Sequence, residues 1–289
     1  MPILKRDNGI SIYYEERGQK EAAETLLLLG GLTRDHTIWR KVLPYLEEKY
    51  RIILPDNRDA GQSSTAATEY GISELSEDMS DLIQSLRLCP VHVVGHSMGG
   101  FMAFHLAAKY PELIKTIILC STAEKQTEAG ISYLRGRMCL INEKSPAEAK
   151  PTSRDDIVAV MDKIYSPTSL KNEVFIEEMI DFETSNPYPQ RADAFKRQAI
   201  ACLHHNAEFL LRDIVCPVSI ITGKHDRTFP PEVAYTLSTK MRRPTVTIIP
   251  DAGHMVQLEQ PKLLSDTLEK FIVTYRHEPD GEVSMRIEV

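Results

Sequence analysis

The chain has 289 residues, of which 42% are hydrophobic and 26% charged, and its formal net charge is -7 at pH 7. That length buries a substantial core, either as one α/β domain with an insertion or as two small domains, and the acidic balance excludes a nucleic-acid partner gripped through its phosphates. No segment is apolar for long enough to cross a bilayer, and the first residues lack a signal-type apolar region, so a cytoplasmic protein is expected.

In chain order, residues 10–16 alternate as an edge strand does, and residues 26–29, 52–54, 91–94 and 114–119 are short apolar runs suited to strands buried on both faces. Helical patterns lie between them at 35–49, 73–87 and 101–109, with Ser73 and the nearby Ser76-Glu77 placed to cap the second. Strand and helix alternation implies a mostly parallel sheet. The alternation stops at 123–213, a polar segment rich in charges and aromatic residues, and resumes with strands at 218–222 and 246–249 and helices at 231–240 and 262–275. The simplest account is a core of 1–122 and 214–289 interrupted by a largely helical insertion at 123–213. The five cysteines, Cys89, Cys120, Cys139, Cys202 and Cys216, are scattered without CxxC spacing, which argues against a disulfide framework or a zinc site. The adjacent His204 and His205 also lack the spacing of a metal site, so neither metal nor cofactor is expected. At the end of the chain, residues 282–289 alternate apolar with polar side chains, the pattern of a strand added to a neighbouring subunit or of a segment without fixed structure.

The chemistry is carried by Gly95-His96-Ser97-Met98-Gly99-Gly100, which joins an apolar run to a helical pattern. A serine at a sharp strand-to-helix turn needs small residues two positions away on either side, and Gly95 and Gly99 supply them. The turn lifts the hydroxyl clear of the sheet, beside the N-H groups that begin the helix. Serine still needs a base to take its proton and an acid to orient that base. Two downstream loops offer them: Asp226 follows the strand at 218–222, and His254 follows the strand at 246–249, so both fall on the rim where parallel sheets gather reactive groups. The expected triad is therefore Ser97, Asp226 and His254. An oxyanion hole needs two backbone donors; the Met98 N-H is one, and Leu32, in the Gly30-Gly31-Leu32 loop after the strand at 26–29, is the other. His96 lies within the same motif but is read as pointing away from the position of a base.

Together these motifs resemble the α/β-hydrolase superfamily over nearly the whole chain outside the insertion. The resemblance implies a mostly parallel eight-stranded sheet flanked by helices, with the insertion forming a helical cap over the active site. Two departures stand out. Gly30-Gly31 replaces the His-Gly that many members carry after the third strand, and Asp59 occupies a usual glycine position in the loop Asp56-Asn57-Arg58-Asp59-Ala60-Gly61, where Asp56 and Arg58 are expected to fix the loop. Serine in place of aspartate at the turn argues against the haloalkane dehalogenase and epoxide hydrolase relatives.

The expected reaction is hydrolysis of a small or medium carboxylic ester, methyl esters and lactones included, through an acyl-enzyme. Carbon-carbon bond hydrolysis and a slow-turnover ligand receptor are the alternatives that share the motif. Gly31, Trp39, Phe229 and Met255 are expected to wall the pocket from the core, with aromatic residues of the insertion, among them Tyr133, Tyr165, Phe175, Phe182, Tyr188 and Phe195, either lining it or packing the cap. Arg191, Lys196 and Arg197 form a basic cluster, read either as a solvated helix face or as a surface for an acyl carrier protein presenting the ester. A monomer or homodimer is expected.

Overall fold

The computed structural model describes residues 2–88, 90–142, 153–242, 244–276 and 287–288. Its strands are β1 (Ile3–Lys5), β2 (Ser11–Gly18), β3 (Thr25–Leu29), β4 (Arg51–Pro55), β5 (Val91–His96), β6 (Ile114–Cys120), β7 (Val218–Gly223), β8 (Thr245–Ile249) and β9 (Ile287–Glu288). The α-helices are α1 (Leu43–Leu46), α2 (Ile72–Ser85), α3 (Met98–Lys109), α4 (Glu128–Asn142), α5 (Arg154–Ile164), α6 (Pro167–Leu170), α7 (Glu173–Thr184), α8 (Ala192–Leu203), α9 (Pro231–Lys240), α10 (Val256–Glu259) and α11 (Pro261–Arg276). One sheet runs in the order β1-β2-β4-β3-β5-β6-β7-β8-β9. Its first eight strands form the expected mostly parallel sheet: β2 is antiparallel to β1 and β4, and every pairing from β3–β4 onward is parallel. The two residues of β9 extend the chain's own sheet beside β8; the rest of the 282–289 segment lies outside the described residues.

The period-two side-chain alternation of the strands divides the core into two layers. Leu27 and Leu29 of β3, Val91 and Val93 of β5, and Ile117 and Leu119 of β6 face the layer that includes α2 and α3. Leu26 and Leu28, Val94, and Ile118 and Cys120 face the opposite layer, which α11 closes with Leu264, Leu268, Phe271 and Ile272. Burial on both faces explains why these strands read as continuous apolar runs. Cys120 and Cys202 are buried, whereas Cys139 is exposed.

Three local expectations are corrected. The pattern over 35–49 divides into a 3₁₀ turn at His36–Trp39 and the short α1: Asp35 caps the turn through Thr37 N-H at 2.9 Å, and Pro44 has no N-H with which to continue it. Helix α2 begins one residue before Ser73, and its cap is built at Gly71, whose N-H donates to Glu74 Oε2 at 3.0 Å. Strand β1, too short to register as a pattern, adds an antiparallel edge. Between β6 and β7, α4 to α8 form the helical insertion, with one isolated bridge, Lys125 to Asn206, among its described residues. Among the described residues no helix is long and apolar enough to cross a membrane.

Leu28 is fully buried in the layer under α11. Leu28→Ala is expected to lower unfolding stability by about 2–5 kcal/mol, read from urea denaturation, because the lost contacts and the remaining cavity both count.

Candidate active site

Ser97 stands between β5 and α3 with φ 54° and ψ -116°, a conformation that a side-chain-bearing residue holds only under constraint. The constraint is close backbone packing. A Cβ on Gly95 would meet Gly99 O at 2.3 Å, and a Cβ on Gly99 would meet Leu29 O at 2.3 Å, so both positions exclude every other residue. Hydrogen bonds complete the clamp: Ser97 N-H donates to Cys120 O at 3.0 Å, and Ser97 O accepts from Gly100 N-H at 2.8 Å and from Thr122 Oγ1 at 2.9 Å.

Asp226 and His254 meet as the sequence predicts. His254 Nδ1 lies 3.0 Å from Asp226 Oδ2, while Asp226 Oδ1 accepts the N-H groups of Thr228 and Phe229 at 2.8 and 2.9 Å. Burial opposes ionisation of Asp226 most strongly, but the facing His254 and the converging N-H donors outweigh it and lower the carboxyl's pKa. The anion therefore persists in a buried place. Ser97 and His254 line one cavity of about 240 Å³, without a hydrogen bond between their side chains; such contacts are often long in unliganded enzymes and tighten when substrate arrives.

His96 is closer to His254 than its sequence position implies. Its Nε2-H donates to His254 O at 2.9 Å, its ring centre is 4.9 Å from that of His254, and it lines the cavity. Burial, aided by the neighbouring His254, lowers its pKa to about 3, so it stays neutral and serves as a fixed donor to the His254 loop. The sequence holds no separate signal for this role, because it depends on a contact across 158 residues.

Leu32 and Gly31 reach the cavity as expected, and the loop passes so near the turn that a Cβ on Gly31 would lie 3.1 Å from Ser97 Cβ. Neither the Leu32 nor the Met98 N-H has a protein acceptor among the described residues. Phe229 and Met255 also line the cavity. Trp39 does not: it is fully buried with Leu26, Leu28 and Ile38 in the core layer, because the 3₁₀ turn directs it under the sheet. Of the insertion's aromatic residues Tyr133 lines the cavity; Tyr165 and Phe195 are buried, Phe175 and Phe182 pack against the core, and Tyr188 is exposed.

The insertion grips each of the three loops that carry these groups. Gln198 of α8 accepts Thr33 N-H at 3.1 Å, beside Leu32, and donates to Arg58 O at 2.9 Å. Thr127 Oγ1 donates to Thr228 O at 2.8 Å beside Asp226, and Ile164 O accepts His254 N-H at 2.8 Å. Asp59 explains its own departure from glycine. It sits at φ 68°, where glycine is favoured, and its buried carboxylate receives Arg197 of α8 bidentately at 2.8 and 2.9 Å together with Tyr70 Oη at 2.8 Å. Arg197 and Arg191 also pair with Asp193, so two of the three members of the basic cluster are committed to carboxylates within the chain. Asp56, as expected, fixes its loop by accepting His36 N-H and Gln62 N-H, each at 2.7 Å, and Arg58 pairs with the buried Asp78. His205 packs flat on Phe101 at 4.1 Å, a place in the apolar core.

Two substitutions test these constraints. Gly99→Ala is expected to abolish folding or to lower the thermal midpoint sharply, because no flexible atom can yield to the new Cβ. Arg197→Leu leaves the Asp59 carboxylate buried without its cation and should cost about 3–5 kcal/mol of unfolding stability in urea.

Comparison with known proteins places this geometry. Residues 24–173 match the family described as the alpha/beta hydrolase fold. The chain is 27% identical over 274 residues to a Bacillus subtilis protein named Uncharacterized hydrolase YugF, covering 92% of this chain and 95% of the relative. It is 23% identical over 273 residues to the (E)-2-((N-methylformamido)methylene)succinate hydrolase of Acinetobacter baylyi, covering 94% and 97%. Among solved structures, a thermophilic esterase from Thermogutta terrifontis superposes with a TM-score of 0.80 at 22% identity, over 95% of this chain and 99% of that one. The enol-lactonase from Burkholderia xenovorans LB400 also gives 0.80, at 20% identity and over 94% and 100%, and both likenesses concern the fold. With the strained serine turn, the sheet order and a matching family that spans more than half its length, the chain belongs to the α/β hydrolase fold family.

Proposed function

We propose that the protein is a serine hydrolase of carboxylic esters, with Ser97 as nucleophile, His254 as general base and Asp226 as the carboxylate that orients it. The observation that carries this reading is the His254 Nδ1 to Asp226 Oδ2 contact of 3.0 Å beside a cavity that Ser97 also lines. With Nδ1-H committed to Asp226, the lone pair of Nε2 is the one left to accept a proton. As Ser97 Oγ attacks the ester carbonyl carbon, its proton passes to His254 Nε2, and the carbonyl oxygen becomes an oxyanion that the Leu32 and Met98 N-H groups receive. Collapse of that intermediate breaks the bond to the alcohol, which leaves with the proton from His254. Water then repeats the sequence on the acyl-enzyme, freeing the acid and restoring Ser97.

A cavity of about 240 Å³, below the range typical of drug-sized ligands, favours a small or medium acyl ester, methyl esters and lactones included. The helical insertion acts as a cap, since it supplies Tyr133 and other walls of the cavity while holding the three loops. A cytoplasmic location completes this reading.

Ser97→Ala is expected to abolish hydrolysis of p-nitrophenyl butyrate and labelling by a fluorophosphonate while the circular dichroism spectrum stays unchanged; full turnover by that variant refutes the assignment. Asp226→Asn should retain labelling at a much reduced rate, with kcat lower by about 10⁴-fold, the loss that follows when a triad's histidine is held in the wrong tautomer. Steady turnover separates this enzyme from a receptor, which labels once and keeps its product.

A further inference from the structure

The charge lining the cavity is one-sided. Arg34, Arg137, Lys163 and Arg227 all contribute to its wall, and among the described residues no aspartate or glutamate does. Two of these cations are answered nearby. Arg34 is paired with Glu183, and Arg227 donates to Asp162 O at 2.8 Å with that residue's carboxylate 4.0 Å away. Arg137 and Lys163 have no carboxylate within ion-pair distance among the described residues, and neither has an interaction beyond those described.

These two cations, one from α4 and one from α5, converge on a single ring. The Arg137 guanidinium carbon lies 5.9 Å from the centre of the Tyr133 ring and the Lys163 ammonium 5.8 Å from it, and Arg137 also donates to Tyr133 Oη at 3.2 Å. Arg137 is further steadied over Phe195, 4.9 Å from that ring's centre. A ring face attracts cations, but it supplies no net negative charge, so two like charges at one ring of the cavity wall stay without a carboxylate among the described residues. Arginine with a planar fork beside a lysine is a chemistry suited to a carboxylate.

We infer that the ester cleaved here carries a free carboxylate, which Arg137 and Lys163 bind while Ser97 attacks the ester carbonyl. This rests on the hydrolase reading above and narrows its substrate class to short half-esters and similar acidic esters. Arg137 and Lys163 are then specificity-determining residues. A neutral ester of the same length enters the same cavity but leaves both cations unanswered.

The test compares kcat/KM for matched esters, with the charge placed on either side of the scissile bond: p-nitrophenyl hydrogen glutarate against p-nitrophenyl valerate, and acetoxyacetate against propyl acetate. The acidic member of at least one pair is expected to be preferred by about ten-fold or more, as for a charge-assisted contact, and rising ionic strength should shrink the preference. In Arg137→Gln and Lys163→Gln the ratio of acidic to neutral kcat/KM should fall toward one. Lys163 is exposed, so its variant keeps the test valid if loss of Arg137 disturbs the packing on Phe195. A binding measurement needs no turnover: Ser97→Ala protein titrated with monomethyl glutarate and with dimethyl glutarate should hold the monoester more tightly, and lose that difference when Lys163→Gln is added. Equal handling of acidic and neutral members in both pairs, or a preference that survives in both variants, overturns the inference. Hydrolysis that persists in Ser97→Ala instead refutes the serine mechanism, while the titration still reads the carboxylate preference on its own.

Discussion

At Ser97 the backbone occupies φ 54° and ψ -116° because Gly95 and Gly99 allow β5, α3 and the end of β3 to approach within a distance no Cβ would permit. Everything nearby follows from that approach. It brings Leu29 against the start of α3, and so carries the Gly30-Gly31-Leu32 loop to the side of the serine. It also leaves the Met98 N-H, at the first position of α3, without an acceptor inside the helix. The strain at one residue is held by contacts in three elements, so the serine's position is set before any ligand arrives.

The insertion has a second constraint of this kind. Hydrogen bonds between Gln198, Thr127 and Ile164 and the loops of Leu32, Asp226 and His254 fasten the insertion to those loops. The Asp59 to Arg197 pair anchors that fastening in a buried place, where an unanswered charge on either side would be costly. A left-handed backbone position that favours glycine is here filled by a side chain whose carboxylate pairs with Arg197 of the insertion. The helices therefore act on the site through the loops they hold, in addition to walling the cavity.

Two buried histidines stand side by side at this edge of the sheet. His254 faces the Asp226 carboxylate, which also accepts the Thr228 and Phe229 N-H groups and stays ionised despite its burial. His96, deeply buried beside it, stays neutral and donates to the His254 backbone. The cavity wall also carries Arg137 and Lys163 from the insertion, which meet no carboxylate among the described residues.

Local spacing carried much of this. Gly95 and Gly99 around Ser97, and strand ends just before Asp226 and His254, follow from short-range sterics and from apolar runs, which are written in consecutive residues. The division of β3, β5 and β6 into two core layers likewise follows from their period-two alternation, and the strandless stretch after β6 marked the insertion. Other features were set by contacts between distant segments. Trp39 went to the core because Asp35 and Pro44 shape a 3₁₀ turn, β1 and β9 exist only by pairing with neighbours, and His96 supports His254 across the chain. The match of Asp59 with Arg197, separated by 138 residues, and the meeting of Arg137 and Lys163 on one ring belong to the same group. Sequence by itself determined the strained turn at Ser97 and the edge of the sheet on which Ser97, Asp226 and His254 stand, since backbone sterics and side-chain periodicity act locally. Only the tertiary structure decided what holds those residues in place and which charges line the cavity, because ion pairs and loop contacts between remote segments exist only after the chain has closed on itself.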